Sequence, residues 1–264
     1  MDAQWQAMML EMGLSNSELI ALTFVGFATS ILSAIVGMAG GVTLLTVMLL
    51  FFDPLIAVPL HGAVQLVSNS SRAVIQRKHI RWELIWRYGL CLLPLGFLGL
   101  ELSQQLPPAV TKALIGVFVL IATWMPRLLL IGTHPEDSDP KGRFILMGAA
   151  TGFLNPTIGA TGPLIAPFFL NLGLTRFALI GTKATCQALG HIAKIIIFGV
   201  VGFAYTQYAP LLVALCASVV VGTMVGSRML KRVNETWFIR LYKGVLTVIA
   251  LHLVIGPLID KVFV

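Results

Sequence analysis

Charge is what this chain has least of. Of 264 residues only 11% are Asp, Glu, Lys or Arg, against 57% hydrophobic, whereas roughly a quarter of a soluble globular protein is charged. With a mean hydropathy of +0.91, this composition excludes a soluble domain and indicates an all-α polytopic membrane protein. Acid is scarcer than base: eleven Asp and Glu stand against eighteen Lys and Arg, a formal charge of +7. Every acidic residue falls at or near the end of an apolar segment, from Glu18 and Asp53 to Glu235 and Asp260. No interior carboxylate is therefore on hand for a metal ion or a cationic substrate. The three cysteines, Cys91, Cys186 and Cys216, lie in apolar runs without metal-ligand spacing and read as buried thiols. Cys186 and His191 lack the helical spacing that would pair a nucleophile with a base, so no enzyme is expected, and no cofactor. There is no Gly-x-x-x-x-Gly-Lys-Ser/Thr loop to hydrolyse ATP. Nor does a basic n-region with a cleavage site open the chain, so no cleaved leader is expected. The basic surplus sits in short connections between apolar runs, which the positive-inside rule explains without nucleic acid.

What the chain does have is glycine, in a pattern that occurs twice. Gly37-Met38-Ala39-Gly40-Gly41 is matched by Gly159-Ala160-Thr161-Gly162-Pro163, and the same offset pairs Gly26, Ala28, Thr29, Leu32 and Gln65 with Gly148, Ala150, Thr151, Leu154 and Gln187. Arg72 meets Lys194 as a like-charged counterpart. Each cluster lies inside a long apolar region, where a backbone that leaves the helix must satisfy its polar groups without water. Small residues also let helices pack closely in a membrane. Paired breaks at equivalent positions of two halves point more specifically to a transporter's substrate site.

The pattern divides the chain into a first unit over 1–131, a soluble linker over 132–143 and a second unit over 144–264, each unit with about five hydrophobic segments. In the first unit, Ser17–Val36 is long enough to span, at the ~20 residues a bilayer core needs. Val42–Phe52 is half length, so the pair reads as a broken or re-entrant helix. Leu55–Gln76, Leu84–Leu102 and Ala109–Ile131 follow as full spans. The second unit repeats the interrupted pair as Phe144–Pro156 and Leu164–Leu172, then continues with Phe177–Val201, Tyr208–Leu230 and Trp237–Ile259. An odd number of segments per unit turns the second copy upside down, and the charges agree. The connection from Arg72 to Arg87 is basic while its counterpart from Ala204 to Tyr208 is uncharged; the connection from Arg228 to Lys243 is basic while that from Gln104 to Lys112 is nearly neutral. Opposite bias at matching positions is what an inverted-topology repeat requires, and it puts both termini on the non-cytoplasmic side.

Polar residues stripe the third segment of each unit. His61, Gln65, Asn69 and Arg72 are four, four and three apart, and Lys183, Gln187, His191 and Lys194 repeat that spacing, which puts each set on one helix face. An ionised side chain at the bilayer centre costs about 2.5–3.5 kcal/mol on insertion scales, so such groups face a cavity, a partner or the headgroups. Snorkelling accounts equally well for Arg72 and Lys183, and interhelical hydrogen bonding for the two glutamines. The interior groups are basic or neutral, and helix N-termini after Gly40-Gly41 and Thr161-Gly162 offer partial positive charge. The expected substrate is a small anion. The candidate binding residues are Gly37, Gly40, Gly41, Gln65, Arg72, Asn155, Gly159, Thr161, Gly162, Lys183, Gln187, His191 and Lys194. Asn155-Pro156 reads either as an amide donor or as a simple helix stop. A histidine, His61 or His191, offers protons as a coupling ion. A secondary carrier working by alternating access fits these features, with an anion channel as the alternative; an oligomer is compatible with either.

The stretch from Gly26 to Pro54 with its Gly37-x-x-Gly40-Gly41 break, and its copy from Gly148 to Pro167, resemble the two halves of the sulfite exporter TauE/SafE family of bacterial membrane permeases. The resemblance implies an inner-membrane protein that moves sulfite or a related sulfur-containing or organic anion. Pro163 stands where the first copy has Gly41, so the two breaks are not identical.

Overall fold

In the computed structural model the described residues are 9, 12–36, 39–130, 140–169, 172–229 and 235–262. Among them the chain is entirely helical, without strands. Eleven helices follow in order: α1 (Asn16–Val36), α2 (Ala39–Met48), α3 (Pro54–Ile75), α4 (Trp82–Gly89), α5 (Leu92–Gln105), α6 (Pro108–Trp124), α7 (Pro140–Ile158), α8 (Gly162–Ile165), α9 (Arg176–Val200), α10 (Ala209–Met229) and α11 (Glu235–Val262). Short 3₁₀ turns lie at Arg77–His79, Pro126–Leu130, Ala166–Phe169 and Tyr205–Tyr208.

Local chemistry explains most boundaries. Ser15 and Glu18 close a capping box at the start of α1: the Ser15 N–H donates to Glu18 Oε2 at 2.7 Å and the Glu18 N–H to Ser15 Oγ at 3.2 Å. Asp53 and Pro54 open α3 as expected, with Pro54 in the first turn, where its missing donor costs nothing. The Asp53 carboxylate caps no backbone N–H and lies 3.5 Å from Lys112 Nζ instead. Pro140 likewise begins α7, so the last residues assigned to the linker are helical and the segment expected from Phe144 starts earlier. Residues 131–139 and most of the first eleven lie outside the described residues.

Two expected spans are interrupted. Leu84–Leu102 is not one helix but the pair α4 and α5, bent by 40°. Pro94 gives the reason: its ring would collide with the Leu90 carbonyl four residues back in a continuous helix, so the chain breaks at Leu90 and Cys91. Ala109–Ile131 ends as α-helix at Trp124, two residues before Pro126, and finishes as a 3₁₀ turn.

By length and composition, the stretches Asn16–Ala34 and Tyr205–Gly226 are each apolar enough to cross a membrane, and α4 with α5 passes the same test as a bent pair. Large apolar side chains such as Phe24, Phe97, Val213 and Val221 face outward from these helices, as does Val248 from α11. Such a surface is stable against lipid and would be costly in water. The protein is a membrane protein.

Inside, α1 packs against α10, α7 against α4 and α5, α3 against α9, and α6 against α11. Small residues let the backbones approach. A Cβ on Gly148 would sit 2.1 Å from the Tyr88 carbonyl oxygen, and one on Gly26 would sit 2.7 Å from Ser218 Oγ. Replacing Gly148 with Ala forces α7 off α4, an overpacking cost of about 1–3 kcal/mol. Gly199→Ala in α9, where nothing lies within 4 Å, should gain up to about 1 kcal/mol. Thermal unfolding in detergent should show a loss of several degrees for Gly148→Ala and none for Gly199→Ala.

Candidate functional site

Both glycine clusters interrupt a helix. α1 stops at Val36 and α2 begins at Ala39; Gly37, a candidate site residue, lies outside the described residues. Gly40 and Gly41 fall inside the first turn of α2 rather than ahead of it. In the second cluster α7 runs past Pro156 to Ile158, so Asn155-Pro156 is not a helix stop, and the chain turns at Gly159 with φ +78°. That is left-handed backbone, which glycine adopts without strain. The four-residue α8 that follows is too short to bring the dipole of a full helix to bear on an anion.

The long helices α3 and α9 brace these breaks. His61 Nε2 lies 2.8 Å from the Gly41 carbonyl oxygen. From α9, Lys194 Nζ donates to the Gly159 carbonyl oxygen at 2.5 Å. The Lys194 stem lies across α3 at Gly62, where a Cβ would come 2.8 Å from Lys194 Cδ. Lys194 is 1% exposed, so its ammonium is buried on a carbonyl.

Between the breaks is a small cavity, with ≈ 20 Å³ of space for water-sized centres, enough for one or two waters. Its lining includes Gly41, Gln65, Arg72, Asn155, Thr161, Gly162, Gln187 and His191 from the candidate set. The expected stripes on α3 and α9 thus meet across it. The His61 and His191 rings are 5.9 Å apart, edge to face. Gly40 instead packs beneath α1, where a Cβ would strike the Thr29 carbonyl oxygen. Gly159 offers its carbonyl to Lys194, and the buried Lys183 and Lys194 lie outside the lining.

Ser33, Val42, His61 and Ala160 complete the lining. His61 was legible as the first member of its stripe; Ser33, a turn before the first break, carried no signal of its own.

The charges around the cavity are one-sided. Among the described residues no Asp or Glu is buried. Arg72 donates to Asn69 Oδ1 at 2.8 Å, the Ser68 carbonyl at 3.4 Å and Ser68 Oγ at 3.5 Å, all neutral acceptors on its own helix. Two ion pairs are seen among the described residues, Arg81 with Glu83 and Lys112 with Asp53, and each has an exposed member. No group of three or more His, Cys, Asp or Glu among the described residues is placed to hold a metal. The cavity can therefore neutralise an anion, and no buried carboxylate among the described residues is there to balance a cation.

Gly159→Ala tests the second break. A side chain there meets Leu45 Cδ2 at 2.7 Å and Val58 Cγ2 at 2.9 Å, and left-handed backbone costs a non-glycine residue about 1–2 kcal/mol. The variant should melt several degrees lower in detergent, whereas Gly173→Ala, also at positive φ but with open space around it, should lose less.

The protein-family model described as "Sulfite exporter TauE/SafE" matches residues 22–253. No curated protein and no solved structure matches the chain. The matched stretch holds α2 through α10 whole, both breaks and every residue that lines the cavity, and on that coverage the chain belongs to the sulfite exporter TauE/SafE family.

Proposed function

We propose that this protein is a secondary carrier for a small anion, sulfite or a close sulfur-containing relative, that works by alternating access at the cavity between α3 and α9. The family is one of membrane exporters of sulfur anions, which gives the class of cargo. The observation that carries the reading is a cavity bordered by the first turn of α2, by the break after α7 and by Arg72, with no buried carboxylate among the described residues. Arg72, Gln65, Gln187, Thr161 and His191 act as donors to the anion. Lys194 works through Gly159, holding the break in shape, and Lys183 adds positive potential from outside the lining.

Packing supports the inverted repeat. If the first and second units correspond, α1 matches α7, and α4 with α5 matches α10. α1 packs on α10 while α7 packs on α4 and α5, and the two remaining pairs, α3 with α9 and α6 with α11, join matching helices. Reciprocal exchange of this kind is what a pseudo-two-fold axis produces. The reversed charge bias of the connections fits the same arrangement, placing the exposed Arg77, Lys78, His79 and Arg81 in the cytoplasm and both termini on the far side of a bacterial inner membrane.

The size of the cavity favours a carrier over a channel. A space for one or two waters admits an anion only if helices move, and gated movement around a central site is how such carriers work. In proteoliposomes sulfite flux should saturate with concentration; flux that rises linearly would indicate a channel. Arg72→Met and His191→Ala should each lower flux at least about tenfold, a loss of ~1.4 kcal/mol in binding, with helical content and elution volume unchanged. Unaltered flux in both variants would remove them from the mechanism.

A further inference from the structure

The cavity contains acceptors as well as donors. Asn155, 3% exposed, lines it from α7. Its Nδ2 donates at 3.0 Å to the carbonyl oxygen of Gly190, which can only accept, so the orientation of the amide is fixed. Asn155 Oδ1 is then left buried without a partner. The same logic applies to His61, 1% exposed. Its Nε2 faces the Gly41 carbonyl and must carry the hydrogen, so in the neutral ring Nδ1 is a lone pair, and it too is buried without a partner. An unmet buried acceptor costs about 1–3 kcal/mol, and two beside one cavity call for a ligand that brings a hydrogen to them.

The charged and titratable groups that surround these acceptors are Arg72 on α3, His191 and Lys194 on α9, and Tyr88 on α4, whose hydroxyl lies beside Gly190. None is a carboxylate. The site thus asks for negative charge and for a donor in one small ligand.

We propose that the cavity selects an oxyanion in its singly charged, still protonated form, hydrogensulfite rather than sulfite dianion, a proposal that rests on the anion-carrier reading above. Arg72 takes the negative oxygens, and the ligand's own hydrogen is donated to Asn155 Oδ1 or His61 Nδ1. A fully deprotonated dianion sets lone pair against lone pair at these atoms, and sites built around a hydrogen bond reject ligands that lack it strongly. The proton crosses the membrane on its anion, so no protein group has to release it. The lining offers little apolar wall, only Val42 and Ala160, which also disfavours anions with an organic tail.

The test measures binding of sulfite, selenite and sulfate to the purified wild-type protein in detergent, by isothermal titration, from mildly acidic to mildly alkaline pH. Sulfite affinity should fall about tenfold per pH unit once the anion loses its last proton, the slope of a one-proton linkage. Selenite, which keeps its proton to higher pH, should show the same fall displaced upward. Sulfate, deprotonated throughout, should bind at least about tenfold more weakly than sulfite at the acidic end. A fall at the same pH for sulfite and selenite would place the titrating group on the protein and overturn the proposal. So would affinity that does not change with pH, or sulfate binding as tightly as sulfite; in each case the anion-carrier reading survives. Failure of all three anions to bind at any pH would overturn both.

Discussion

A backbone that leaves the helix within an apolar layer presents carbonyls that only another part of the protein can satisfy. Here Lys194 meets that demand at the second break, while His61 ties the first turn of α2 to α3. His61 reaches from α3 to Gly41, and Lys194 reaches from α9 to Gly159. Without the Lys194 bond the turn at Gly159 would leave a buried carbonyl unmet, and without the breaks the two striped helices would face each other across a plain helical wall. Gly62 permits the second bond, because any side chain there would occupy the path of the lysine stem.

The bracing groups also set the electrostatics. A buried ammonium on a carbonyl is held but not neutralised, and Arg72 is in the same position, donating to amide, hydroxyl and carbonyl oxygens. With no buried carboxylate among the described residues, the positive potential extends into the cavity. Ion pairing would have stabilised the protein on its own and left nothing for a ligand. The arrangement is less favourable to the empty protein and more favourable to an anion, as a binding site requires.

Much of this was legible in the amino-acid order. The doubled glycine clusters marked both breaks, and helical spacing brought Gln65 and Arg72 opposite Gln187 and His191, because a periodic stripe on a long helix survives folding almost unchanged. The absence of interior acid gave the sign of the ligand. The rest depended on side-chain reach and orientation, which spacing does not encode. Lys194 belongs to the stripe yet turns to Gly159, and Asn155-Pro156, which reads as an amide donor or a helix stop, is neither: α7 runs past it and the amide nitrogen is already used by Gly190. The Pro94 break does not show in hydropathy, because Leu84–Leu102 is apolar enough on average to pass as one span; the obstruction is steric and local.

The Lys194 stem also joins three elements mechanically. It is rooted in α9, lies over α3 at Gly62 and ends on the turn between α7 and α8. If α9 slides along α3, the turn at Gly159 is drawn with it, as a cable draws a shutter. On the carrier reading proposed above, helix displacement and reshaping of the cavity would then be a single event with one barrier.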